Sequence, residues 1–547
     1  MSQRMTTGEA AVATLIRNGV STVFCLPGVQ SDHLFDALQA AEASIHAIHT
    51  RHEQGAAYMA LGAAMATGTP AVYAVVPGPG FLNTMGALST AYAVNAPVLA
   101  MVGQIPAAAI GRSLGMANEI PDQLGVMRTL TKYNDRIRAT HEAPLKVTEA
   151  FRQMISGRKR PAALECAIDV WSRGAPVEIP PAALPNNALV DLDAVAQAAK
   201  LLGDALRPMI IVGGGAQNAS AEVTALAEML QAPVVAHRMG LGVLDRRNPL
   251  CANMVVGQKL WEHTDAVLAV GTRLSTQLTQ WGVDHATKIV RIDADAEELD
   301  RIAAPEVGIV GDAVSVLQAL LDALPAHNRL RESRRDEMLG LHAEAARQLA
   351  FLKPQIAYLE AIRAELPEHG IFVDELTPLG YVGRMMFPVY QPRTFLSPGY
   401  QGTLGWGVAA ALGVKVARPD VPVLTLSGDA GFLFNAPELA TAVQHRIPFI
   451  VVLVVDNAYA SAPRIQRDRS GRRQIASEMH KPDYQKLVEA YGALAMKAGS
   501  PEELRGALRA ALQADVPTVI EVSAGPMPDP WRTQRPSGGR RGAVPRG

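Results

Sequence analysis

The stretch Val421–Tyr459, VPVLTLSGDAGFLFNAPELATAVQHRIPFIVVLVVDNAY, constrains the fold more than any other part of the chain. An apolar run ends in Ser427-Gly428-Asp429-Ala430-Gly431. An amphipathic segment follows from about Ala436 to His445, and a second apolar run, Phe449–Val455, ends in Asp456-Asn457. This is the pattern of strand, turn, helix, strand, in which the right-handed crossover makes the two strands parallel. Asp429 and Asn457 then both stand just past the carboxyl ends of parallel strands, where open α/β sheets collect their ligands. A carboxylate, an amide oxygen and a glycine-rich turn suit a hard cation that takes further oxygens from phosphate, as Mg²⁺ does. An Asp capping a helix and an Asn in a turn account for the same two residues without any ligand.

The 547 residues are enough for two to four domains. A net charge of -1 gives no global attraction to nucleic acid or an anionic membrane, so neither partner is expected. Cys25, Cys166 and Cys251 are odd in number, far apart and without metal-type spacing, which argues against a disulfide scaffold. No segment has the roughly 18 consecutive apolar residues of a membrane span, and the N-terminus lacks the apolar core of a signal peptide. A cytoplasmic enzyme is the expectation.

Alternating elements predict an α/β fold of three consecutive doubly wound parallel-sheet domains. The first covers residues 1–175, with strands at Val20–Leu26, Ser44–Thr50, Ala71–Val76, Pro97–Val102 and Ala162–Ile168. Its glycine turns are Pro27-Gly28, Pro77-Gly78-Pro79-Gly80 and Gly103-Gln104. Glu53 follows a strand and opens a helix; alone, that is an acidic first turn favoured by the helix dipole. The Pro-rich stretch Trp171–Asn187 reads as a linker. A central domain, 190–325, has strands at Pro208–Val212, Pro233–Ala236, Ala266–Val270 and Lys288–Ile292. Its Gly213-Gly214-Gly215-Ala216 turn is short of a full dinucleotide fingerprint. Residues 326–355 read as a charged linking helix, and a third domain spans 356–525 with strands at Ile371–Asp374, Thr394–Leu396, Val423–Leu426, Phe449–Val455 and Thr518–Val522. Residues 526–547 form an arginine-rich tail.

Gly428-Asp429-Ala430 with Asp456-Asn457, Arg51-His52-Glu53 before a small-residue helix, and Gly78-Pro79-Gly80-Phe81-Leu82-Asn83 together resemble the thiamin-diphosphate (ThDP) enzymes related to acetolactate synthase, benzoylformate decarboxylase and pyruvate oxidase. The resemblance spans about residues 5–525 in the order pyrimidine-binding, central and diphosphate-binding domain. It assigns to the cofactor Pro27, Gly28, Glu53, Gly78 and Asn83, and then Gly402, Leu404, Gly428, Asp429, Ala430, Gly431, Asn457 and Tyr459. Glu53 would be the catalytic residue, contacting N1′ of the aminopyrimidine so that the 4′-nitrogen takes the thiazolium C2 proton. The carbonyl of Gly402 would accept from the 4′-amino group, and Leu404 would wedge the cofactor into its bent shape. Mg²⁺ would be held by Asp429, Asn457 and the carbonyl of Tyr459. The resemblance also implies a homodimer, with a homotetramer common in the family, because Glu53 of one subunit meets the cofactor held by another.

This sequence departs from the family in several places. Ala430 replaces the last glycine of Gly-Asp-Gly, which would cost stability if the position needed φ > 0. Asp456 replaces the first Asn of an Asn pair. Gly111–Gln123 lacks a Phe-Gln-Glu, and the residues after Tyr459 lack a Gln-Trp, both seen in many acetolactate synthases. Leu274-Ser275-Thr276-Gln277 is unlike the flavin-binding members, so FAD in the central domain is disfavoured though left open. The resemblance implies a ThDP- and Mg²⁺-dependent enzyme that decarboxylates a 2-oxo acid and ligates the product, acetolactate-synthase-like. A benzoylformate-type decarboxylase, a flavin-linked oxidase and a non-catalytic nucleotide-binding paralogue are the alternatives, in that order.

Overall fold

A computed structural model describes residues 3–283, 287–456, 466, 473, 475–523 and 527–530. It contains three parallel sheets with helices between their strands. By internal contacts the first and third domains form one unit, Met1–Asn186 with Ile371–Thr377 and Pro398–Ala524, while Asn187–Gly370 and Pro378–Ser397 belong to a second. Domains consecutive in sequence are thus not the units of packing.

In the first domain the strands lie in the order His46–His49, Thr22–Cys25, Ala71–Val75, Val98–Gln104, Ala162–Ala167, Tyr133–Ile137, all parallel. Strand order reverses beside Thr22–Cys25, so the turns after this strand and after Ala71–Val75 open at a topological switch point. Pro27-Gly28 and Pro77–Gly80 are those turns. The third domain repeats the arrangement: Ile371–Val373, Val423–Gly428, Ile450–Val454, Thr518–Val522 and Leu494–Ala498 are neighbours in that order and parallel. Its switch point lies between Ile371–Val373 and Val423–Gly428. The central sheet runs Cys251–Ala252, Val234–Ala236, Pro208–Val212, Ala266–Val270, Lys288–Asp293, Val307–Val310, the order of dinucleotide-binding sheets.

Two buried helices join the first and third domains. Glu53–Thr67 (EQGAAYMALGAAMAT) and Trp406–Ala417 (WGVAAALGVKVA) are apolar on nearly every face, which suits helices enclosed on all sides. A Cβ on Gly62 would lie 2.1 Å from the carbonyl oxygen of Ala410, and one on Gly413 would lie 1.8 Å from that of Met59. The helices therefore meet backbone to backbone, and only glycine fits at the two crossing points.

Some expectations need correction. Trp171–Asn187 is not purely a linker: Gly174–Val177 pairs antiparallel with Gln3–Thr6, ahead of the first helix, Thr7–Arg17. Helix formation after Val423–Gly428 begins at Asp429 rather than near Ala436, and comes as two short helices, Asp429–Asn435 and Glu438–Gln444. The charged segment after residue 326 holds two helices, Arg335–Gln348 and Lys353–Glu365, each burying part of one face.

Candidate active site

Glu53 is the first residue of its helix, which His52 caps by accepting the amide N–H of Gln54 at 3.1 Å through Nδ1. His52 is thus a capping residue. The carboxylate of Glu53 is half-buried, and Oε2 accepts a hydrogen bond from Asn83 Nδ2 at 3.0 Å. A Cβ on Gly80 would lie 3.2 Å from Glu53 Oε1 and 2.5 Å from Val76 Cγ2. The Gly78–Asn83 turn is therefore wrapped on Glu53, bringing together three residues that the sequence singles out separately. Gly78 sits at φ 56°, where its Cβ would strike the carbonyl of Asn118 at 2.2 Å. Pro27 and Gly28 begin the neighbouring turn, Pro27 exposed and Gly28 half-buried.

The third domain presents a second glycine-lined edge. Gly402 and Gly405 have φ of 58° and 78°, and Leu404 between them is half-buried rather than part of the core. Asp429 is 2% exposed at the end of its strand, and its Oδ1 accepts the amide N–H of Ala430 at 2.9 Å. Ala430 lies within the helix Asp429–Asn435 and is absent from the positive-φ residues, so its methyl group costs nothing there. Gly431 is where glycine is needed, since a Cβ would lie 2.8 Å from Glu375 Oε1. Asp456 is exposed just past Ile450–Val454. Asn457 and Tyr459 lie outside the described residues. Among the described residues no cluster of three or more His, Cys, Asp or Glu side chains forms a metal-holding group.

Four buried polar residues hold this frame and were missed by the sequence reasoning as site residues. Gln123 accepts from Gly78 N–H at 2.9 Å and donates to Glu165 at 2.8 Å, anchoring the Gly78 turn to the sheet. Glu165, fully buried, also pairs with Arg136 at 2.5 Å. Glu438, 1% exposed on the third domain, accepts the N–H of Arg51 at 3.2 Å and of His52 at 3.1 Å, and the hydroxyl of Thr441 at 2.6 Å. It holds the chain immediately before Glu53. Burial pushes the Glu438 carboxyl above the ordinary range, while the Thr441, Arg51 and His52 donors pull it back. Glu375, also 1% exposed, is pushed up to about 7 by burial against the pull of Ser427, Gly405 and Gly407. The sequence signal is a single acidic residue in a mainly apolar helix for Glu438, and an acidic pair, Asp374-Glu375, at the end of a short apolar strand for Glu375.

The residues suit ThDP: a glycine turn folded around a half-buried carboxylate at one switch point, and a nearly buried Asp beside glycines of positive φ at the other. Two sheets of like topology, each with such residues at its switch point, are compatible with a cofactor that has two chemically different ends. The matches to known families agree. Residues 5–126 match the thiamine pyrophosphate enzyme N-terminal TPP binding domain, 195–320 the central domain and 379–522 the C-terminal TPP binding domain. The chain is 33% identical to a probable 2-ketoarginine decarboxylase, AruI, of Pseudomonas aeruginosa, over 95% of this chain and 94% of that protein. It is 32% identical to a probable acetolactate synthase large subunit of Methanocaldococcus jannaschii, over 95% and 92% of the two chains. It is 30% identical to the acetolactate synthase isozyme 3 large subunit of Escherichia coli, over 92% of each. The protein belongs to the ThDP-dependent decarboxylase/carboligase family and is a ThDP enzyme.

In the central domain, a Cβ on Gly213 would lie 2.3 Å from the carbonyl oxygen of Gly271, and one on Gly215 would lie 2.7 Å from Gly271 Cα. Close backbone packing explains two of these three glycines. Cys25 and Cys166 are buried, and burial raises both thiols well above their ordinary range, as expected of inert core residues. Among the described residues no helix is long and apolar enough to cross a membrane.

Proposed function

We propose that the protein decarboxylates a 2-oxo acid with ThDP and Mg²⁺ and joins the product to a second carbonyl compound, in the manner of acetolactate synthase. The observation that carries this reading is the turn Gly78–Asn83 folded onto Glu53, with the Asn83 amide on the carboxylate at 3.0 Å. Glu53 would hold or pass a proton at N1′ of the aminopyrimidine. A half-buried carboxylate with one fixed donor has the second oxygen available for that contact. Gly402 and Leu404 would receive the pyrimidine side of the bend. Asp429, with Gly428, Ala430 and Gly431 beside it, would hold the diphosphate through Mg²⁺, aided by Asn457 and the carbonyl of Tyr459. The bound cofactor supplies an electron sink for loss of CO₂, and the protein supplies orientation and electrostatics. A homodimer would complete each site, Glu53 coming from one subunit and Asp429 from the other.

A second reading, decarboxylation without ligation, is favoured by the relative named as a 2-ketoarginine decarboxylase. One screen separates the two: 2-oxo acids incubated with enzyme, ThDP and Mg²⁺, following CO₂ release and products by NMR. Carbon–carbon bonded products support ligation, and aldehydes alone support the second reading. Glu53→Gln is expected to abolish turnover while Mg²⁺-dependent ThDP binding persists; unchanged turnover would remove Glu53 from the chemistry.

A further inference from the structure

We propose that Glu375 is a positioning residue for the cofactor, a buried carboxyl group that ties the Gly402–Gly407 turn to the Ser427–Gly431 turn at the switch point of the third sheet. This rests on the ThDP reading of the same site. Glu375 follows the strand Ile371–Val373, and Ser427 lies near the end of the adjacent strand Val423–Gly428. One carboxyl oxygen, Oε1, accepts the N–H of Gly405 at 2.6 Å, and the other, Oε2, accepts the Ser427 hydroxyl at 2.6 Å. The two oxygens thus hold one turn each.

The surroundings leave this link little room to move. A Cβ on Gly431 would lie 2.8 Å from Glu375 Oε1 and 3.1 Å from Gly405 N, and one on Gly405 would lie 2.6 Å from Phe434 Cβ. The indole of Trp406 donates to the carbonyl of Asp374 at 2.8 Å, and the side-chain amide of Asn435 donates to the carbonyl of Gly405. The turn that carries Leu404 is therefore tied to the segment that carries Asp429 directly by Asn435 and, through Ser427, by Glu375, while Trp406 ties it to Asp374 beside Glu375. Leu404 would sit at the bend of the cofactor and Asp429 at its diphosphate end, so the distance between them decides whether the bend and the diphosphate fit at once. That distance is set through Glu375, and positioning of this kind contributes directly to rate. A carboxyl group buried to this degree is costly to keep, and an apolar side chain would pack the space more cheaply. Its retention at the junction of two cofactor turns is accounted for by the hydrogen bonds it directs.

The test uses the full-length protein and the variants E375A, E375D, E375Q and S427A. ThDP dissociation constants are measured by calorimetry at fixed Mg²⁺, and hydrogen–deuterium exchange at C2 of bound ThDP is followed by NMR. Melting temperatures identify any variant that fails to fold, and S427A, which removes one donor and no carboxyl group, serves as the milder probe. E375A is expected to weaken ThDP by at least tenfold and to slow C2 exchange by a similar factor. E375D, shorter by one methylene, should behave like E375A because it cannot span the turns, whereas E375Q, which keeps the span, should recover part of the loss. S427A should fall between wild type and E375A. The proposal is overturned if E375A and E375D match wild type in both readouts, or if E375D recovers more than E375Q, which would make charge rather than span the cause. Wild-type protein that binds no ThDP would instead remove the cofactor reading, so the two failures are distinct.

Discussion

Replacing Glu438 with Ala should loosen the start of the Glu53 helix more than any other single change on the third domain. The carboxylate accepts two backbone N–H groups, from Arg51 and His52, and the Thr441 hydroxyl, in a site with 1% exposure. A buried donor left without an acceptor costs about 1–3 kcal/mol, and water entering the space left by the side chain recovers part of it. For two backbone donors, the loss is about 2–4 kcal/mol, or roughly a 30- to 1,000-fold fall in local protection. Amide hydrogen exchange of a peptic fragment covering residues 51–56 reads this directly, without cofactor or substrate. Turnover should fall in parallel, because Glu53 is the next residue after the held segment. E438Q keeps an acceptor oxygen and should lose about 1 kcal/mol. Protection within threefold of wild type in E438A, with undiminished turnover, would refute the view that the third domain sets the position of Glu53.

Asp429→Ala should remove Mg²⁺-dependent ThDP binding at micromolar cofactor by calorimetry while leaving the melting temperature of the apoprotein nearly unchanged; retained binding would exclude Asp429 as the principal metal ligand. Gly413→Ala should destabilise by about 1–3 kcal/mol, since its methyl group would meet the Met59 carbonyl and force the two buried helices apart. Gly506→Ala, in the helix Pro501–Gln513 with nothing near its Cβ, should stabilise by about 0.4–1 kcal/mol, and thermal melts of the pair check both signs. Burial pushes the Glu375 carboxyl up to about 7, above its value in an unfolded chain, so the folded state binds its proton more tightly. The resulting stability is fully present below about pH 4.3 and lost as pH rises toward 7, by roughly 3 kcal/mol in all. Urea unfolding of the apoprotein at several pH values should show this slope in wild type and lose it in E375Q; parallel curves would show that Glu375 does not titrate in this window.

What the sequence reveals here follows from how far each signal reaches along the chain. Inner strands are buried on both faces and read as mainly apolar runs, so Pro208–Val212, Ala266–Val270 and Thr518–Val522 are legible residue for residue. The strands that went unrecognised are edges of their sheets, Tyr133–Ile137, Cys251–Ala252, Val307–Val310 and Leu494–Ala498, or the antiparallel pair at the N-terminus. An edge strand has a neighbour on one side only, and Tyr133–Ile137, YNDRI, buries just its last residue fully. The glycine turns proposed for the cofactor carry a local mark, since Gly78 and Gly402 adopt positive φ that leaves a local residue choice.

The polar frame behind those turns has no such local mark. Glu438 reads as a polar position on an amphipathic helix, and only the fold reveals that its acceptors serve amides at Arg51 and His52, nearly four hundred residues away. Glu375 reads as the second of two acidic residues, Asp374-Glu375, after a short strand, and its two partners, Gly405 and Ser427, come from different segments. A single hydrogen bond of this length leaves no periodicity in the sequence, because periodicity records a face and not a partner. The residues proposed to hold the cofactor are therefore picked out by their neighbours in sequence, while the residues that would hold them in place are recognisable only from their neighbours in space. The same division predicts how substitutions will behave: changes at Glu53 or Asp429 should abolish one function each with the fold intact, whereas changes at Glu375 or Glu438 should shift binding, rate and local protection together.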